Sequence, residues 1–170
     1  IPHCDVLCVP GGLGCMAVME DQAYLSELRR LAASARYLTS VCTGSLILGA
    51  AGLLSGKRAA CHWAWRDMLD ELGAIADPER VVRDGNLITG GGVTAGIDFA
   101  LTVIEELAGA DVAQSIQLGL EYAPQPPFNA GRPETAPAPI LNKVNDAMAA
   151  AMPARWEATR RAARRLSQDK

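Results

Sequence analysis

One stretch constrains the chain more than any other: Tyr37-Leu38-Thr39-Ser40-Val41-Cys42-Thr43-Gly44-Ser45-Leu46-Ile47-Leu48-Gly49-Ala50-Ala51-Gly52. Tyr37, Leu38, Thr39 and Val41 favour a strand, because β-branched and aromatic side chains fit a pleated, half-buried surface. Thr43 and Gly44 permit a tight turn. Leu46 to Leu54 then predicts an apolar helix, which Gly56 stops. Cys42 falls at the strand-to-helix turn, beside a helix N-terminus whose unpaired amides and macrodipole favour an anion. A thiol so placed is expected to ionise readily and act as a nucleophile. This is the logic of the nucleophile elbow, with Cys in place of Ser. A second reading stands beside it: a cysteine in an apolar segment is commonly an inert core residue.

A strand buried between helices needs enough chain to cover it. The 170 residues predict one domain over 1–170 with a substantial core. A hydrophobic share of 49% excludes a disordered chain. The net charge of -3 argues against a nucleic-acid binder. The longest apolar run, Leu46 to Leu54, is too short to cross a membrane. Five cysteines, at 4, 8, 15, 42 and 61, lack C-x-x-C spacing, so no metal site is expected. Free thiols fit a reducing, cytoplasmic setting. The chain enters a strand directly after Ile1-Pro2-His3-Cys4-Asp5. A domain rarely begins so abruptly, so residues upstream of this numbering are expected.

Asp5-Val6-Leu7-Cys8-Val9 reads as a central parallel strand. Pro10-Gly11-Gly12-Leu13-Gly14 breaks it. This is either a plain turn or a place where backbone amides approach a ligand. It is neither G-x-G-x-x-G nor a P-loop, so no nucleotide or other cofactor is expected. Asp21 to Ala35 predicts an amphipathic helix, with Leu28, Leu31 and Ala32 on one face. Strand, helix, strand, helix is the alternation of an α/β fold with a parallel sheet and helices on both faces. Ligands bind such sheets beyond the carboxyl ends of strands, where Gly11, Gly12 and Cys42 all fall.

Gly56 to Trp65 predicts a short strand ending in His62, which is either a base or substrate contact near Cys42 or a cap for the next helix. Arg80 to Arg83 and Asn86 to Thr89 flank Asp84-Gly85, a hairpin signal. Gly90-Gly91-Gly92 implies close backbone approach or a segment that flexes. Ile97 to Leu107 reads as a helix, with Asp98 favouring its N-terminus. Asp111 to Leu120 reads as another, and Ile140 to Met152 as a third that Pro153 kinks or restarts. A proline-rich loop from Glu121 to Pro139 separates them. The five arginines from Arg155 to Arg165 read as a solvated helix face.

These residues resemble the ThiJ/PfpI superfamily, on Val9-Pro10-Gly11-Gly12, Ser40-Val41-Cys42-Thr43-Gly44-Ser45, Cys61-His62-Trp63 and Ile88-Thr89-Gly90-Gly91-Gly92-Val93-Thr94-Ala95-Gly96-Ile97-Asp98. Gln117 to Pro124, with Tyr122-Ala123-Pro124, narrows the resemblance to its isocyanide hydratases. The resemblance implies a flavodoxin-like fold, a homodimer, and hydration of isocyanides to N-substituted formamides without metal or organic cofactor. Cys42 would attack the isocyanide carbon as thiolate and form a thioimidate. Backbone amides of Gly12 and Thr43 would steady the negative charge, and the Thr43 hydroxyl would position substrate or water. His62, Trp63 and Gly91 would line the pocket, and Trp65 either the pocket or a dimer seam. The resemblance further implies an N-terminal strand and helix, with an aspartate as the general acid, upstream of anything in this numbering. Thr43 stands where many related enzymes carry a histidine after the cysteine. The elbow also resembles the sensory domains of AraC-type regulators, and a cysteine redox sensor is a further alternative.

Overall fold

The computed structural model describes residues 2–168. Its first half runs β1 (Val6–Val9), α1 (Cys15–Val18), α2 (Gln22–Ala32), β2 (Tyr37–Val41) and α3 (Gly44–Ala50). Next come β3 (Arg58–Ala59), a 3-10 turn at Trp63–Trp65, α4 (Met68–Glu71), β4 (Ile75–Ala76), β5 (Val81–Asp84) and β6 (Leu87–Gly90). A 3-10 turn at Val93–Ala95 leads into α5 (Gly96–Ala108), followed by α6 (Ala110–Gly119), α7 (Ala138–Ala149) and α8 (Met152–Gln168).

The main sheet has the order β1-β2-β6-β5. β1, β2 and β6 are parallel, with Val6 opposite Tyr37 and Leu38 opposite Leu87. β5 is antiparallel to β6. The sheet is therefore mixed, not wholly parallel as the alternation implied. The cause is local: only Gly85 and Asn86 separate β5 from β6, and so short a link returns the chain antiparallel. The strand expected to reach His62 stops at Ala59 and pairs only with β4. Beyond it, Ala60 leaves the ladder for side chains. Its amide donates to Thr89 Oγ1 at 2.8 Å, and its carbonyl accepts from Ser45 Oγ at 2.6 Å.

Successive strand residues point to opposite faces. Val9, Leu38 and Leu87 enter a core with Leu25, Leu46 and Met68. Tyr37 and Ile88 meet Phe99, with Val6, Val41 and Val103 packed alongside. Helices thus cover both faces, as expected. Asp21 caps α2 by accepting from the Tyr24 amide at 3.0 Å. Pro153 sits in the first turn of α8, where its missing N–H breaks no helical bond. α8 folds back on the core through buried Ala158, Thr159 and Ala162. Arg161 pairs with Glu20 at 2.6 Å, and Arg165 Nη2 donates to the Met19 carbonyl at 2.8 Å.

Two glycines seat the strand ends against each other. A Cβ at Gly44 would lie 2.0 Å from the Val9 carbonyl oxygen. A Cβ at Gly11 would lie 2.5 Å from the Thr43 nitrogen. No side chain fits either gap.

Candidate active site

Cys42 lies between the last residue of β2 and the first of α3. Its φ of 58° is left-handed, which costs a non-glycine residue about 1–2 kcal/mol. Its amide donates to the carbonyls of Gly90 at 3.0 Å and Gly91 at 2.7 Å, tying the turn to the end of β6. Thr43 is buried, and its Oγ1 accepts from the Gly12 amide at 3.0 Å. The two strand ends that the sequence placed together are therefore joined by a hydrogen bond. That bond also engages the Gly12 amide, which the sequence reading turned toward the thiol. The Thr43 amide has no acceptor among the described residues.

A cavity of about 240 Å³ opens at this junction. Gly12, Cys15, Cys42 and Thr43 form its strand-end lining. His62, Trp65 and Arg155 form its aromatic lining. Leu13 and Val93, also lining it, are 92% and 82% exposed and mark its mouth. A larger groove of about 920 Å³ between Trp63–Asp67 and the last two helices holds no nucleophile.

His62 caps the 3-10 turn after it: its Nδ1 accepts from the Ala64 amide at 3.2 Å. That assigns the proton of the neutral ring to Nε2. Burial, aided by the Arg155 charge, pushes the His62 pKa below its ordinary value. The ring is therefore a neutral donor, with no free lone pair to act as a base. Trp65 lies 4.6 Å from it, ring to ring, at 45°. The Arg155 guanidinium carbon sits 4.4 Å from the Trp65 ring centroid. The Trp65 indole N–H is buried without a hydrogen-bond partner. Burial pushes the Cys15 thiol up, against a hydrogen bond from Thr43 and the Arg155 charge. Burial also raises the Cys61 thiol strongly. All five cysteines are free. No cluster of three or more metal-binding side chains occurs among the described residues.

Two expected pocket residues lie elsewhere. Trp63 is within 5.7 Å of the His62 ring but lines neighbouring hollows with Pro133. Gly91 lines a separate cavity of about 270 Å³ and serves Cys42 through its carbonyl. Asp98 pairs with Arg80 and accepts from the Tyr122 hydroxyl at 2.9 Å, a structural clamp on the start of α5. Leu13, Cys15, Met16, Val93 and Arg155 line the cavity without having been read as pocket residues in the sequence. For Arg155 a signal existed. It stands three, four and seven residues before Ala158, Thr159 and Ala162, so it shares their inward face. The arginine-rich end is not a wholly solvated face.

Residues 2–106 match the model of the DJ-1/PfpI family. The chain is 58% identical over 166 residues to an isonitrile hydratase of Pseudomonas putida, covering 98% of this chain and 73% of that protein. Among solved structures it resembles a THiJ/PfpI family protein from Pseudomonas syringae, with a TM-score of 0.88 and 45% identity over 96% of this chain. Drosophila melanogaster DJ-1beta follows at a TM-score of 0.61 and 32% identity over 71% of this chain. The chain spans 66% and 65% of those two solved chains. It belongs to the DJ-1/PfpI family.

Proposed function

We propose that this chain is an isonitrile (isocyanide) hydratase, converting R–N≡C and water to the formamide R–NH–CHO. The observation that carries the reading is the 58% identity to the Pseudomonas putida hydratase across 98% of the chain. The cavity at Cys42 supports it, since its small volume suits a compact substrate.

We read the β2–α3 junction as a nucleophile elbow. The Cys42 thiolate adds to the terminal isocyanide carbon, which gains a proton to give the thioimidate R–N=CH–S–Cys42. Water then adds to that carbon, the C–S bond breaks, and the formamide leaves with the thiolate restored. The Thr43 amide, which lacks an acceptor, donates to negative charge as it develops. The Gly12 amide joins it only if its bond to Thr43 Oγ1 opens. No carboxylate lines the cavity among the described residues. The proton is therefore assigned to an acid outside this lining, in keeping with the aspartate that the resemblance implies. His62 contributes its Nε2–H as a donor rather than a base.

A homodimer is supported by apolar side chains left uncovered on α6, where Val112 and Ile116 are 43% and 37% exposed. No described helix is long and apolar enough to cross a membrane. The free thiols suit a reducing, cytoplasmic compartment.

The test is turnover of an alkyl isocyanide, followed by formamide formation, in the wild type and in Cys42→Ala. The expected result is hydration by the wild type and a loss of at least about a thousandfold in the variant. Absence of hydration in the wild type rejects the activity. Hydration that survives in Cys42→Ala rejects the mechanism.

A further inference from the structure

We propose that Arg155, held over Trp65, selects isocyanides that carry a carboxylate on a short linker from the isocyano group. The inference rests on the hydratase reading and names the substrate class within it.

The charge balance of the cavity points there. Arg155 is the cation of its lining, and His62 is held neutral beside it. No carboxylate of the chain pairs with Arg155 among the described residues. Other arginines of this chain do find one: Arg58 pairs with Asp77, Arg66 with Glu134 and Arg161 with Glu20. The Arg155 guanidinium carbon lies over the Trp65 ring. A guanidinium placed there, with no carboxylate beside it among the described residues, keeps N–H donors for a carboxylate of the substrate. The remaining lining is largely apolar, through Leu13, Met16, Trp65 and Val93. A lone cation beside apolar walls attracts an anion more strongly than one in open water.

The nucleophile sets the other end of the substrate. An isocyanide attacked by Cys42 places its terminal carbon at the sulfur and its substituent in the rest of the cavity. Cys42 and Arg155 line the same space of about 240 Å³, so one small molecule reaches both. The isocyano group is uncharged overall, so it has no use for the guanidinium. The substituent does.

The rival role for Arg155 is to support the Cys42 thiolate or to hold α8 in place. That role is blind to the substituent, which makes the two separable. The experiment compares kcat/KM for isocyanoacetate and for its methyl ester, in the wild type, Arg155→Ala and Arg155→Lys, with thermal midpoints for each protein. The expected result is a wild-type preference for the carboxylate. Arg155→Ala should lose roughly tenfold to a hundredfold on the carboxylate, the scale of a charge-assisted hydrogen bond, and less than about threefold on the ester. Arg155→Lys should restore part of the preference. Equal losses on both substrates, or a wild type indifferent to the carboxylate, overturn the proposal while leaving the hydratase reading intact. A wild type that hydrates neither substrate overturns both.

Discussion

The two linings of the cavity are built in different ways. The strand-end lining is made of backbone. Gly12, Cys42 and Thr43 come from the carboxyl ends of adjacent parallel strands, and they are locked by Gly11, Gly44 and the bond between Gly12 and Thr43. The aromatic lining is made of side chains from distant segments. His62 and Trp65 follow β3, and Arg155 arrives on the last helix to stack on Trp65 at 4.4 Å. The first lining follows from topology, because parallel strands deliver their ends to one edge. The second follows from how one helix folds back, which topology leaves open. In the proposed reaction the first sets the chemistry and the second the choice of substrate.

Substitutions at three positions test this contrast. The largest effect is expected from Gly44→Ala. Its methyl would meet the Val9 carbonyl oxygen at 2.0 Å, and backbone cannot yield as a flexible side chain does. A loss of about 3 kcal/mol or more in urea unfolding is expected. A loss below about 1 kcal/mol would show that the strand ends are not locked.

Thr43→Val comes next. It keeps the side-chain shape but removes the buried acceptor of the Gly12 amide, at a cost of about 1–3 kcal/mol. Thr43→Ser should recover most of that stability. If Val and Thr prove equally stable, the hydrogen bond does not hold the loop.

The smallest effect concerns the aromatic lining and pH. The folded protein holds His62 below its ordinary value near 6.5, so the unfolded chain takes up that proton first as pH falls. Stability should therefore drop as pH is lowered through about 6.5 and level off below the folded value. In His62→Gln this part of the urea-midpoint profile should flatten. An unchanged slope in that variant would remove His62 from the account.

The same contrast explains what was legible in the sequence. Gly11, Gly12, Cys42 and Thr43 could be placed together from strand runs and turn residues alone, because each element is local and the parallel pairing does the rest. The hairpin at β5 and β6 was equally plain, yet its antiparallel sense had to be carried into the sheet to see that the sheet is mixed. Of Trp63 and Trp65, only Trp65 lines the cavity at Cys42, because neighbours in a short turn point in different directions and spacing does not say which one faces in. Arg155 was assigned to solvent because arginines dominate its helix. The small residues Ala158, Thr159 and Ala162 on its face were the better guide. Asp98 was rightly taken as a helix-start acid, although its partners Arg80 and Tyr122 lie too far along the chain for spacing to reveal.

In the proposed reaction Cys42 forms a covalent bond to the substrate carbon. The most direct measurement is the mass of the Cys42 peptide after rapid acid quenching of the protein mixed with an alkyl isocyanide. The expected result is an adduct equal to one isocyanide, on Cys42 and not on Cys15, forming and decaying at the rate of turnover. Formamide produced with no adduct on Cys42, or with an adduct confined to Cys15, would contradict it.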